Sequence, residues 1–176
     1  MNAEQIHARV VQNFPSAVTT CDLAAIDPWI EVKAEGLAEV CRYLRDQDDL
    51  RFDMLHCITA VDFFEPDEKK ATQVSWQPHL EVVYHLSSMR NRHRIVLKVM
   101  LPRWKDDQPG VLPEVQSVSD IWRTAEWHER EVFDLSGVNF VGNRDLRRIL
   151  CPEDWPGHPL RKDFAMPSEY HGIPTR

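Results

Sequence analysis

Apolar positions recur along this chain with two different periods, and the switches between them predict its elements. Ala3, Ile6, Val10 and Phe14 fall at helical spacing, which predicts an amphipathic helix ending at Pro15. Short strands are predicted at 17–21 and 29–33, where Ile30 and Val32 alternate with Glu31 and Lys33 behind Pro28. Leu37, Val40, Cys41 and Leu44 return to the helical period, and the polar run 46–49 ends it. Residues 51–61, nearly all apolar or small, read as a buried central strand. After a solvated loop, Leu80, Val82, Tyr84 and Leu86 alternate with His79, Glu81, Val83 and His85. A short polar turn then leads to Ile95, Leu97, Val99 and Leu101, alternating with Arg94, Val96, Lys98 and Met100. Two such runs form an antiparallel hairpin.

The order helix, two strands, helix, three strands predicts an α+β fold over residues 1–116. Its two layers place helices on one face of a mixed or antiparallel sheet. Residues 117–150 change character. Ser119 and Asp120 are expected to open a helix, Ile121, Ala125, His128, Val132 and Leu135 form its stripe, and Gly137 closes it. Beyond Leu150, Pro152, Pro156, Pro159, Pro167 and Pro174 predict an extended tail over 151–176. Trp155, Leu160 and Phe164 are poorly placed there in water, so the tail is expected to dock on another surface.

Charge and cysteine usage narrow the function classes. The net charge of −7 makes nucleic acid a poor general partner. No apolar run approaches the roughly 20 residues of a membrane span. The N-terminal stretch lacks the apolar region of a secretory signal. Cys21, Cys41, Cys57 and Cys151 are scattered, which suits buried small side chains in a reducing compartment rather than an iron–sulfur run.

Candidate chemistry is sparse. His128-Glu129 begins a zinc motif, but Val132 stands where the second histidine belongs. The glycines build neither a dinucleotide fingerprint nor a phosphate loop. His79 and His85 share a strand face, but their polar surroundings favour plain solvation. The basic stretch Arg90, Arg92, His93, Arg94, Lys98, Arg103, Lys105 reads first as a solvated hairpin tip and next as a contact for an acidic protein. The densest cluster is 126–134. Glu126 and Arg130 are spaced for an ion pair, and Arg130 also reaches Asp134. Its carboxylates lie on one helix side, which disfavours a glycosidase-like pair across a cleft. Aromatic and charged residues together fit a helix held between core and partner.

The run Trp127-His128-Glu129-Arg130-Glu131-Val132-Phe133-Asp134-Leu135, with Gly137-Val138 and Asp145-Leu146-Arg147-Arg148-Ile149-Leu150, strongly resembles the C subunit of the proton-pumping NADH:quinone oxidoreductase, respiratory complex I. The tail Pro152-Glu153-Asp154-Trp155 and Gly157-His158-Pro159-Leu160-Arg161-Lys162-Asp163-Phe164 resembles that family's second block, and 117–122 its lead-in. The chain departs from the pattern at Glu126, Ser136 and Asn143, none of which is expected to touch the Glu129-Arg130-Glu131 core.

The resemblance implies a non-catalytic scaffold of the peripheral arm, on the cytoplasmic side of a bacterial plasma membrane and bound there only through its complex. It implies no cofactor on this chain, with FMN, iron–sulfur clusters and quinone on partner subunits. The implied partners are the quinone-site and iron–sulfur subunits. The implied interface comprises Trp127, Glu129, Arg130, Glu131, Asp134, Arg147, Arg148, Trp155, His158, Pro159, Leu160, Arg161, Lys162, Asp163 and Phe164. Related hydrogenase, formate-oxidising and ferredoxin-dependent complexes use a similar subunit. An acid–base enzyme built on Glu129, Glu131 and His128, and a soluble module built on the basic hairpin, are the competing classes.

Overall fold

A computed structural model describes residues 1–175. The first helix, α1 (Ala3–Asn13), is set by a capping box in which Asn2 and Gln5 exchange side chain–backbone bonds. Then come β1 (Val18–Asp22), β2 (Trp29–Val32) and α2 (Leu37–Asp46). Strand β3 (Met54–Phe63), one-turn helix α3 (Glu68–Ala71), and the hairpin β4 (His79–Ser88) and β5 (His93–Leu101) follow. These elements match the predicted order, with α3 added inside the expected loop.

The five strands form one mixed sheet in the order β1-β2-β5-β4-β3. The β2–β5 pairing is parallel and the others are antiparallel. Alternation decides which side is dry. Ile30, Val32, Leu80, Val82, Tyr84, Leu86, Leu97 and Val99 point to one face and join Ile6, Val10, Leu37, Val40 and Leu44 from the helices in a single core. On the opposite face Met100 and Val61 are 50% and 41% exposed. The two-layer α+β class is therefore the observed one.

Residues 51–61 are corrected on one point. They form β3 at the sheet edge, not a central strand, and their burial alternates with Met54, Thr59 and Val61 exposed. Small and apolar residues made the run look buried on both faces, whereas on β3 only Leu55, Ile58 and Asp62 are buried.

The later elements are β6 (Glu114–Gln116), α4 (Ala125–Ser136), β7 (Asn139–Val141), β8 (Glu169–Tyr170) and β9 (Ile173–Pro174). Helix α4 starts at Ala125, not at Ser119–Asp120. Val118 to Trp122 make an isolated turn, closed by Ile121 and Trp122 amides on the Val118 carbonyl. Trp122 Nε1 donates to the Phe52 carbonyl at 2.8 Å, which fixes that turn on the domain before the helix begins. Gly137 ends α4 in the left-handed conformation at φ 70°, as the sequence predicts. Strands β6 and β7 pair in parallel, so segments before 117 and after 137 share one small sheet. Val115, Val118, Ile121, Trp122, Val132, Val138 and Phe140 join the same core as the first 116 residues.

Candidate functional site

Helix α4 has three differently employed faces. Ala125, Glu129 and Val132 turn to the core, Arg130 and Asp134 to the segment 145–158, and Trp127 and Glu131 to solvent. Glu129, Arg130 and Asp134 are 0%, 6% and 0% exposed, so the charged run is no solvated face. Burial of charges on this scale requires partners for every polar atom.

Each of the three is met by groups distant in sequence. Glu129 accepts from Val118 N–H and Ser117 Oγ, each at 2.7 Å, and from Asn143 Nδ2 at 2.8 Å. Burial pushes its carboxyl above the ordinary value, while the hydrogen bonds from Ser117, Asn143 and Val118 pull it back part of the way. Asn143 thus touches the Glu129 core, contrary to the expectation that the departures from the family pattern lie outside it. A side-chain amide at 143 supplies the donor that a buried carboxylate needs.

Asp134 accepts from the amides of Ile149, Leu150 and Cys151 at 3.0, 2.7 and 2.8 Å, and from Arg148 at 2.7 Å. Burial opposes its ionisation, but the Cys151 and Leu150 amides, Arg148 and the Ile149 amide outweigh it and hold the carboxyl at about 2. Arg130 donates to the carbonyls of Arg147 and Arg148 and lies 3.6 Å from Asp145. Its guanidinium also sits 5.3 Å from the Trp127 ring. The predicted Glu126–Arg130–Asp134 ion pairs are therefore not the ones formed. Spacing allowed them, but three consecutive amides and a guanidinium outcompete one flexible side chain for Asp134.

The tail closes the end of the helix. His158 Nδ1–H donates to the Asp134 carbonyl at 2.9 Å, and Leu160 N–H to that of Leu135 at 2.8 Å. Arg161 donates to Ser136, Arg103 and Gly137 carbonyls at 2.6, 2.8 and 3.0 Å, and its guanidinium lies 4.1 Å from the Trp104 ring. Burial pulls its pKa down to about 10. Carbonyls that a helix C-terminus leaves orphaned are thereby taken up by residues more than twenty positions away. Next to this cap, Arg103 bridges Asp62 at 2.7 Å and Asp163 at 2.7 Å, and Lys162 N–H donates to Asp62. The tail is expected to dock on another surface; for residues 157–163 the surface that supplies hydrogen bonds is this chain's own domain.

The remaining interface candidates spread outward. Trp127 and Leu160 are 63% and 57% exposed, Glu131 and Arg147 are exposed, and Pro159 and Phe164 are half-buried. Trp155 packs against Tyr170, with Nε1 buried and unpartnered among the described residues. Sequence reasoning gave Asp62, Arg103, Ser117 and Asn143 no part in this site, although Arg103 stood in the basic stretch, Ser117 in the family lead-in and Asn143 among the departures from the family pattern. Among the described residues no group of three or more His, Cys, Asp or Glu is placed to hold a metal, and no helix is long and apolar enough to cross a membrane.

A family model described as the respiratory-chain NADH dehydrogenase 30 kDa subunit matches residues 30–170. The C subunit of the NADH-quinone oxidoreductase of Roseiflexus castenholzii is 39% identical over 92% of this chain and 83% of its own length. The equivalent Chlorobium phaeobacteroides chain is 39% identical over 93% and 89%. That of Chloroherpeton thalassium is 34% identical over 97% of this chain, which spans 64% of it. A chain of the membrane-bound sulfane sulfur reductase, an archaeal respiratory membrane complex, superposes with a TM-score of 0.68 at 28% identity, covering 93% of this chain and 85% of that one. A trypsin-resistant fragment of Nqo5 shares the fold, with a TM-score of 0.59 at 24% identity over 80% of this chain and 99% of the fragment.

Proposed function

The chain belongs to the family of the respiratory-chain NADH dehydrogenase 30 kDa subunit, and from that premise we propose that it is a non-catalytic scaffold in the peripheral arm of a proton-translocating NADH:quinone oxidoreductase. The observation that carries the reading is how the signature charges are spent. Glu129, Arg130, Asp134, Arg148 and Arg161 bond to backbone groups and side chains of this same chain. Groups so committed hold loops in place rather than shuttle protons to a substrate. Their fixed framework presents Trp127, Leu150 and Leu160, 63%, 63% and 57% exposed, as apolar anchors for neighbouring subunits.

On this reading FMN, iron–sulfur clusters and quinone reside on partner subunits, the quinone-site and iron–sulfur subunits pack against this chain, and membrane association on the cytoplasmic side comes through them. The likeness to a chain of an archaeal respiratory membrane complex supports a second reading, an equivalent post in a related membrane-bound complex with another electron donor. Affinity purification of the tagged full chain from its host separates the outcomes. Recovery of flavin-, iron–sulfur- and quinone-site subunits with NADH-dependent quinone reduction supports the first reading. Recovery with hydrogenase-like or ferredoxin-dependent partners supports the second. A chain recovered alone, with activity of its own, overturns both.

A further inference from the structure

The basic hairpin between β4 and β5 is left unused by the α4 region, and its tip is tied to the domain by several hydrogen bonds. The Asn91 side-chain amide donates to the carbonyls of Asp48, Asp49 and Leu50 at 3.1, 3.1 and 3.4 Å. Asn91 N–H donates to Ser88 Oγ, Arg92 N–H to the Ser88 carbonyl, and Met89 N–H to Asp53 at 2.9 Å. Arg92 itself is held at φ 54°, a left-handed conformation rare for a residue with a long side chain. A turn tied down at this many points still presents Met89 at 67% exposure, followed by exposed Arg90 and Arg92 on either side of the pinned Asn91.

The charges at the tip are unbalanced in one direction. Of the nearby carboxylates, Asp48 pairs with Arg51 and Asp49 with Arg9, which leaves Asp53, holding the Met89 amide, as one negative charge against the two arginines of the tip. Arg90 and Arg92 have no carboxylate within 4.0 Å among the described residues, whereas Arg94 has Asp27 at 3.2 Å.

We propose that the pinned tip Met89–Arg92, an exposed methionine followed by two unpaired arginines, docks into an acidic recess on a protein partner of the same assembly. This rests on the reading of the chain as part of a multi-subunit complex. Arginine and methionine are enriched at protein interfaces, and a prefixed turn loses little freedom on binding. An anionic membrane is a worse fit, since surface attraction of that kind is built from clusters of about 4–8 basic residues. A nucleic acid is worse again, because the tip carries no aromatic side chain for stacking and the chain has a net charge of −7.

The test replaces the native copy in its host with a full-length Arg90→Glu/Arg92→Glu chain and measures the share recovered in the assembled complex on native gels. The isolated variant melts as the parent does, because both side chains are exposed and unpaired. Its incorporation falls roughly tenfold or more, as expected when like charges meet at an interface. Arg90→Lys/Arg92→Lys retains most of the incorporation. A photo-crosslinking residue at position 89 of the otherwise native chain joins it to an acid-rich segment of another subunit. Full incorporation of the charge-reversed chain, or no crosslink from position 89 in the assembled complex, overturns the proposal. So does an effect of charge reversal confined to phosphatidylserine vesicles or to RNA. A native chain that enters no assembly at all refutes the scaffold reading first, and this inference with it.

Discussion

Arg161 and Gly137 are 24 residues apart in sequence, yet the Arg161 guanidinium donates to the Gly137 carbonyl at 3.0 Å while also holding the carbonyl of Ser136 at 2.6 Å. A single tail side chain thus closes the helix on which the signature residues stand. Arg161 is 5% exposed, so these carbonyls are its principal partners.

Arg161→Ala is expected to lower the stability of the isolated chain by about 2–4 kcal/mol, because buried carbonyls at 103, 136 and 137 each lose a donor. Denaturant unfolding of the purified chain measures it. A loss below about 0.5 kcal/mol would mean that the tail leaves the helix end in solution.

Gly137→Ala is expected to cost more than Gly172→Ala. Both glycines have positive φ, but a Cβ at 137 lands 2.5 Å from the His158 ring whereas nothing lies within 4 Å at 172. The shared backbone penalty is about 1 kcal/mol, so the excess reports displacement of His158. In Gly137→Ala/His158→Ala that excess should largely vanish, giving a non-additive cycle. Additive losses would place the strain elsewhere.

Asp134 and Glu129 should give opposite pH dependences. The folded-state carboxyl of Asp134, at about 2, lies below its ordinary 3.8, so its stabilisation is full above about pH 4 and is lost as pH falls toward 2. The shift corresponds to about 2 kcal/mol, which Asp134→Asn removes. Glu129 is raised above its ordinary 4.5, so stability is lost as pH rises from 4.5 through its folded-state value. Glu129→Gln should flatten that second slope only. Unfolding measured from pH 2 to 8 checks both, and an unchanged acid limb in Asp134→Asn would refute the first assignment.

The Arg103–Asp62 pair should behave unlike the Arg144–Asp120 pair. The side chains of Arg103 and Asp62 are 9% and 2% exposed, and those of Arg144 and Asp120 are 82% and 65% exposed. Arg103→Ala strands a buried carboxylate and should cost about 3–5 kcal/mol, while Arg144→Ala should cost less than about 1 kcal/mol. Equal losses by calorimetry would contradict this ranking.

Trp127→Ala should leave the isolated chain within about 0.5 kcal/mol of the parent, since the indole is mostly exposed. Its recovery in the complex should nevertheless fall, by quantitative immunoblotting of native gels. Undiminished recovery would remove Trp127 from the interface.

Local patterning determined the elements of this protein. Two-residue alternation in 79–101 sets the hairpin and its dry face, and helical spacing in 3–14 and 37–44 sets the helices above it, because such periods follow from backbone geometry alone. The family was legible too, in the run 127–135 and the tail block, since those residue types recur at fixed spacing. The partners of the signature charges were not legible. Spacing offered Arg130 to Asp134, but the fold delivered the amides of 149–151 and Arg148 instead. Likewise the prolines of the tail announced an extended segment, while only the folded chain placed Asp62, Arg103 and the end of α4 beneath it. Such choices belong to tertiary structure because a buried charge takes whichever group can reach it dry and in good geometry, and that group is brought near by topology rather than by sequence distance.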